Sequence, residues 1–340
     1  MGRRQIDSDA SCWASVTLLV LGLGSCTLAY LFISNTLKPS NSGVPISDFD
    51  GLRLEVTGGI NLERENRNGG SNCCRGIPNL ELWGPAVNWG TDYKLNSSED
   101  CCEACKAMCS VEDGSCVCDS WVFCGNQKAC GSRFGECWLK KQKDPMAPQI
   151  QAGWSNVMWT SGLIFGKEEG IVGLETQHGT LRVKLHPDCA PYSVANILEL
   201  LAARHCAGCH FYRAEGRGNS WDSIGNHIKD ASYGPPFALI QGTLEAAGMR
   251  LKKIPTEDCP TITRGAVAWV GSGPEFFVSL ANHGEWKGTY TVFGSVLPED
   301  MQVAEKIAQL PTKQDVWSNI RVSVLENPVP ISIRRIKIST

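Results

Sequence analysis

Between His205 and Gly216 the chain reads HCAGCHFYRAEG, and its residue types admit three chemistries. Cys206-Ala-Gly-Cys209-His210 has the spacing at which two thioethers and an imidazole hold a c-type haem. The same thiols and imidazoles are ligand types of zinc. The third reading takes CHFYRAE as a β-strand that carries one useful guanidinium, Arg213, with the cysteines incidental. The choice depends on the redox compartment and on what surrounds the segment.

Cysteine usage and hydropathy bear on the compartment. The chain has 340 residues and 17 cysteines, eleven of them between Cys73 and Cys137. The densest run is DCCEACKAMCSVEDGSCVCDSWVFCGNQKACGSRFGECWLKKQ, in which Cys102, Cys105 and Cys109 have helical spacing and could share one helix face. A Cys-x-x-Cys pair at Cys102–Cys105 could serve zinc, but the run holds no histidine, and in an oxidising lumen disulfides form instead. Eleven is odd, so one cysteine must be free, pair with another domain or link chains; the connectivity is not readable from spacing.

From Ala10 to Leu37 no residue is charged. A helix of about 20 apolar residues spans a bilayer, and Trp13 through Ile33 is that long, whereas a cleaved signal has an apolar stretch of roughly 7–15 residues. The reading is an uncleaved signal-anchor, with cleavage after Ser25 as the alternative. Arg3 and Arg4 precede the span and Lys38 follows it, which orients the N-terminus to the cytosol and the body to the lumen. The expectation is a single-pass type II membrane protein of the secretory pathway, in the Golgi, with the endoplasmic reticulum or cell surface as alternatives. Asn96-Ser97-Ser98 is a glycosylation sequon in a polar stretch. Lys and Arg total 32 against 35 Asp and Glu, so there is no basic field and no nucleic-acid partner is expected.

The expected organisation is a cytosolic tail (1–12), the span (13–33), a Ser-, Gly- and Asn-rich stem (34–71), a cysteine-rich domain (72–163) and a C-terminal domain (168–340). In the last, GIVGLETQHGTLRVKLHP reads as two strands around a turn, and PYSVANILELLAAR as a helix with Val194, Ile197, Leu198 and Leu201 on one face. CHFYRAE, FALIQGTLE, GAVAWVG, EFFVSLAN and YTVFGSVL read as strands, EDMQVAEKIAQL as a second helix and PISIRRIKI as a last strand. The fold class is mainly β: a closed eight-stranded antiparallel barrel capped by two helices, beside a small disulfide-rich α+β domain.

A helix bearing CCEACKAMC, then CDSWVFC and GECWLKK, resembles the PAN/apple family, which packs a helix on a small sheet and pins it with disulfides. The resemblance covers 72–163 and implies a protein or glycan ligand. The C-terminal pieces resemble the cyclophilins, peptidyl-prolyl cis-trans isomerases, over about 170–338. The markers are Phe211-Tyr212-Arg213, Ile240-Gln241-Gly242, Phe276-Phe277 and Val292-Phe293-Gly294 before the last helix. The resemblance implies proline-containing polypeptides as substrates and neither metal nor cofactor. It makes Arg213 the catalytic arginine, Gln241 the substrate-binding glutamine, Leu239 the stand-in for the socket methionine and Phe277 the socket base. Phe237 substitutes for the socket phenylalanine, whose own place Ala238 takes, and Trp286 approximates the rim tryptophan. The sequence departs from the family at Tyr212 and Tyr290, where the family has histidines, and at Glu275, where the family has glutamine. About twenty residues are inserted between Glu215 and Phe237. Two functions follow: a membrane-anchored luminal prolyl isomerase of low activity, or a non-catalytic protein- or carbohydrate-binding membrane protein with a degenerate proline-binding module.

Overall fold

The computed structural model describes residues 73–150, 158–203, 206–245, 253–257 and 261–336. On the N-terminal side, β1 (Ile77–Pro78), β2 (Leu82–Trp83), β3 (Ala86–Asn88), β4 (Ser120–Phe123), β5 (Cys137–Lys140), β6 (Gln149–Ile150) and β7 (Thr160–Leu163) are short strands. They form a five-stranded sheet of order β1-β7-β4-β5-β3 and a ribbon of β2 with β6. Helix α1 (Ser98–Lys106) starts where the Ser97 hydroxyl accepts the Asp100 N–H at 3.0 Å, with Glu99 and Asp100 in the positive first turn. Its inner face is Cys101, Cys102 and Cys105, which reach Cys137, Cys74 and Cys118. Cys109–Cys116 and Cys124–Cys130 close two further loops, the latter around the single turn α2 (Gln127–Cys130). Apart from the fully buried Trp121 the apolar core here is thin, and covalent staples supply what burial cannot in so small a unit.

The odd cysteine of the block is Cys73, which bonds Cys189 of the second sheet's unit. The Arg75 N–H donates to the Asp188 carbonyl at 2.9 Å beside that bond, and Lys106 pairs with the Asp188 carboxylate at 3.0 Å.

The second sheet holds ten strands: β8 (Ile171–Thr176), β9 (Gly179–Leu185), β10 (His210–Glu215), β11 (Leu239–Thr243), β12 (Ala266–Trp269), β13 (Glu275–Ser279), β14 (Val292–Val296), β15 (Thr312–Trp317), β16 (Ile320–Pro330) and β17 (Ser332–Arg335). Helix α3 (Pro191–Ala203) and helix α4 (Met301–Ala308) pack Val194, Ile197, Ala304 and Ile307 onto a core of Phe211, Ile240, Val267, Trp269, Phe276, Val278 and Phe293. The strand order is β15-β16-β10-β11-β13-β12-β14-β9-β8-β17. The expected closed eight-stranded barrel is therefore corrected to an open ladder of ten strands. Two features account for the difference. A hairpin, β15–β16, turns at Ser318 and Asn319, whose φ angles of 48° and 70° suit a two-residue turn of the primed type. After Pro330 the chain bends at Ile331, so β16 pairs with β10 while β17 pairs with β8. The ends of the ladder are thus joined through the chain rather than by hydrogen bonds.

The anticipated tail, the span Trp13–Ile33 and the stem to residue 71 lie outside the described residues. Among the described residues no helix is long and apolar enough to cross a membrane.

Candidate functional site

Strand register places the site. Arg213 is opposite Gln241, Gln241 opposite Phe277, Phe277 opposite Ala268, so these four side chains form one row across β10, β11, β13 and β12. The next rows on the same face pair Thr243 with Glu275 and Glu215 with Leu239. The opposite face carries Phe211, Ala214, Ile240, Phe276 and Val278 into the core, as period-two alternation requires. Alternation would also turn Tyr212 away from Arg213. Instead the register of β10 slips between Phe211 and Arg213 against both neighbouring strands, and this bulge leaves Tyr212 unpaired and free to share the Arg213 face. Gly242 is required here: a Cβ on it would lie 2.5 Å from the His210 carbonyl oxygen across the ladder.

The polar half centres on the guanidinium. Arg213 Nε donates to Glu215 Oε1 at 2.8 Å and Nη1 to Gln241 Oε1 at 2.9 Å. The Glu215 side chain is only 1% exposed, and its carboxylate also accepts the Phe237 N–H at 2.7 Å and the Ser323 N–H at 3.3 Å. One buried carboxylate therefore ties β10, β16 and the approach to β11 to a single arginine rotamer. The guanidinium carbon lies 5.5 Å from the ring centres of both Phe237 and Trp317. Arg213 Nη2 has no hydrogen-bond partner among the described residues. Gln241 Nε2 donates to the Tyr212 hydroxyl at 2.6 Å, which in turn donates to Glu275 Oε2. Burial first, and the Glu275 carboxylate second, push the Tyr212 phenol well above its ordinary pKa, so it remains a donor at any physiological pH.

The apolar half is a cluster of rings. Phe277 lies at its base, 2% exposed, with the Tyr290 and Trp286 ring centres 5.1 and 5.7 Å away, both edge-on. Phe237 reaches Trp286 at 6.4 Å and so joins the cluster to Arg213. Leu239 is packed in the same cluster, 5% exposed. Ala238 takes a positive φ of 49°, which interrupts strand alternation between Phe237 and Leu239. Ala238 faces the main core and Phe237 the cluster. Below Trp286 the His283 ring stacks at 3.7 Å, fully buried, and its Nδ1 is 2.7 Å from Glu285. Burial holds its pKa below the ordinary histidine value despite that carboxylate.

All eight residues singled out from the sequence, Arg213, Phe237, Leu239, Gln241, Glu275, Phe277, Trp286 and Tyr290, thus sit in one contact network. Glu215, His283 and Trp317 were not anticipated. Glu215 had a signal, since i, i+2 spacing from Arg213 places it on the same face. Trp317 had one too, in the alternation of QDVWSNIRVSV around Ser-Asn. As for the segment HCAGCH, Cys206 and Cys209 are bonded to each other and His210 Nδ1 lies 2.6 Å from the Gly208 carbonyl oxygen. Both sulfurs are consumed, so neither haem thioethers nor a zinc thiolate pair can form there.

The sequence pattern of the family described as cyclophilin type peptidyl-prolyl cis-trans isomerase matches residues 171–329. A protein of Arabidopsis thaliana named peptidyl-prolyl cis-trans isomerase CYP65 is 31% identical over 138 residues, 38% of this chain and 21% of that protein. The peptidyl-prolyl cis-trans isomerase-like 3 of Gallus gallus is 24% identical over 153 residues, 43% of this chain and 86% of that one. The chain spans about a fifth of the length of the first relative and most of the second. Among solved structures, a cyclophilin type peptidyl-prolyl cis-trans isomerase of Cryptosporidium parvum covers 48% of this chain and 96% of its own, at 15% identity and a TM-score of 0.33.

Proposed function

From the match of residues 171–329 to the cyclophilin type family, we propose that this stretch is a cyclophilin-type domain and the protein a peptidyl-prolyl cis-trans isomerase acting on X-Pro bonds, with Arg213 as its catalytic residue. The observation that carries this reading is the locked guanidinium: held by Glu215 and Gln241, 5.5 Å from the centres of two rings, with one nitrogen unengaged among the described residues. The barrier to rotation is amide resonance, about 18–20 kcal/mol. As the bond twists, the prolyl nitrogen recovers its lone pair and becomes an acceptor, which it is not in the planar amide. A fixed donor at that nitrogen therefore stabilises the twisted state over both planar ones. No proton is transferred and no bond is broken. Pre-organisation matters because a mobile arginine would have to be ordered at the moment of rotation.

In this reading Phe277, Leu239, Trp286, Tyr290 and Phe237 take the proline ring, and Gln241 and Glu275 bind the flanking peptide. The rings over Phe277 must part to admit a proline, so the expected activity is low. The cysteine-rich domain, of PAN/apple type, would hold a protein or glycan ligand. The disulfides support an oxidising compartment, in line with a luminal, membrane-anchored chain of the secretory pathway.

The test is NMR exchange on a proline peptide with the full chain and with Arg213→Ala. The expected loss in the variant is about a hundredfold or more, typical of removing one transition-state donor. Exchange no faster than in buffer, or unchanged in the variant, overturns the proposal. The covered state of Phe277, 2% exposed, favours a second reading, a proline-binding module without turnover. Saturable peptide binding with no gain in exchange rate would select it.

A further inference from the structure

We propose that this site prefers peptides with a lysine or arginine next to the proline, and that Glu275, with Trp317, reads that cation. The inference rests on the proline-binding reading above and adds the substrate class. An arginine in a peptide groove would ordinarily favour anionic neighbours. Here Arg213 is neutralised at 2.8 Å by Glu215, whose side chain is 1% exposed against 12% for the arginine. The charge offered to a peptide is then set by the remaining groups.

Glu275 is the first of these. It stands on the groove face of β13, two residues before Phe277, half-buried, with Tyr212 as hydrogen-bond donor. No lysine or arginine among the described residues lies within ion-pair distance of it. A phenol satisfies a carboxylate without cancelling its charge. On the hairpin, Asp315 accepts the Trp317 indole N–H at 2.9 Å; that bond first, then the Val316 N–H, hold the exposed Asp315 carboxyl below its ordinary pKa, with a smaller contribution from Lys313 of the same strand. Asp315 and Lys313 offset one another. On the far side of the cluster, exposed Glu285 and Lys287 bracket Trp286 in the chain and do the same. Among the described residues Glu275 is left as the uncompensated charge of the groove.

The rings around it suit a long cationic side chain. Tyr212 and Trp317 have ring centres 6.0 Å apart, and Trp317 is only half-buried. Lysine and arginine lay aliphatic stems along such ring faces while the charged head meets a carboxylate. A glutamate at the same peptide position would meet Glu275 head-on.

Three peptides that differ only in Lys, Gln or Glu immediately before the proline, and a second set with the change immediately after it, test this on the full chain. Affinity is read by NMR titration and turnover by exchange. In one of the sets the Lys peptide should exceed the Glu peptide about tenfold in affinity at low salt. The ratio should shrink in molar salt and approach one in Glu275→Gln. Equal affinities in both sets, a preference for Glu, or an undiminished ratio in Glu275→Gln overturns the inference. Catalysed exchange without a charge preference defeats this inference alone. A Lys preference in binding with no catalysed exchange defeats the isomerase reading and leaves the inference standing.

Discussion

Glu215→Gln tests whether the arginine is positioned or merely present. The carboxylate uses Oε1 for Arg213 Nε at 2.8 Å and for the Ser323 N–H, and Oε2 for the Phe237 N–H at 2.7 Å. An amide has one acceptor oxygen. If that oxygen stays on the arginine, an NH2 group faces the Phe237 N–H, donor against donor. The orphaned donor costs about 1–3 kcal/mol, and the arginine bond falls from charge-assisted to neutral strength, about 1 kcal/mol more. The sum is about 2–4 kcal/mol, or roughly 5–15 °C of melting temperature for a folded unit of this size. The guanidinium then loses its fixed rotamer, and kcat/KM should fall about tenfold, equivalent to 1.4 kcal/mol, with the loss mainly in kcat. The decisive comparison is the same change in an Arg213→Ala background. There Glu215 is a buried carboxylate with no cation, so replacing it with Gln should be neutral or stabilising. Urea denaturation and NMR exchange on the four proteins close the cycle. A cost for Glu215→Gln that is equal in both backgrounds would refute the positioning role.

Trp317→Leu removes one of the two ring faces over the guanidinium; at about 1 kcal/mol for a half-desolvated cation–π contact, kcat/KM should fall roughly fivefold. An unchanged exchange rate would make the ring a bystander. His283 gives a pH dependence whose sign is fixed by its lowered pKa, caused first by burial. The unfolded chain then binds more protons than the folded one below the ordinary value of 6.5, so stability is complete above that pH and is lost on acidification. Buried His186, also lowered by burial, adds in the same direction. Urea midpoints recorded downward from neutral pH should decline, by at most about 1.4 kcal/mol per pH unit for each group. The decline should be shallower in His283→Gln, and a flat profile would contradict the assignment.

Strands and helices of the C-terminal domain were legible because their patterns are local. HFYRAE, LIQGT and EFFVS alternate, and Val194, Ile197 and Leu198 recur at helical spacing. Pairing order is not local, and the sequence reading closed a barrel where the chain builds a longer open ladder. The hairpin β15–β16 is not among the expected strands, although its alternation and Ser-Asn turn are local features of the sequence. It joins strands adjacent in sequence, and nothing in its own residues says that it folds over β10. The disulfides of the cysteine-rich unit show the same boundary: helical spacing groups Cys102, Cys105 and Cys109, but the helix ends at Lys106, its inner face takes Cys101 instead, Cys109 bonds Cys116 beyond it, and all the partners follow only from packing.

Seen from the register, the polar half of the site is what the bulge at Tyr212 makes possible. With regular alternation the phenol would point into the core, against Phe276 and Val278, where its hydroxyl would lack a partner. Slipping the register by one residue brings it out beside Gln241 and Glu275 and keeps Phe211 inside. The approach to β11 and the hairpin after α4 then contribute Phe237 and Trp317, each with its ring centre 5.5 Å from the guanidinium carbon. Arginine position and groove charge are in this way set by different residues, Glu215 for the first and Glu275 for the second. A substitution at Glu215 should therefore change turnover on every peptide alike, whereas one at Glu275 should change the ranking of peptides.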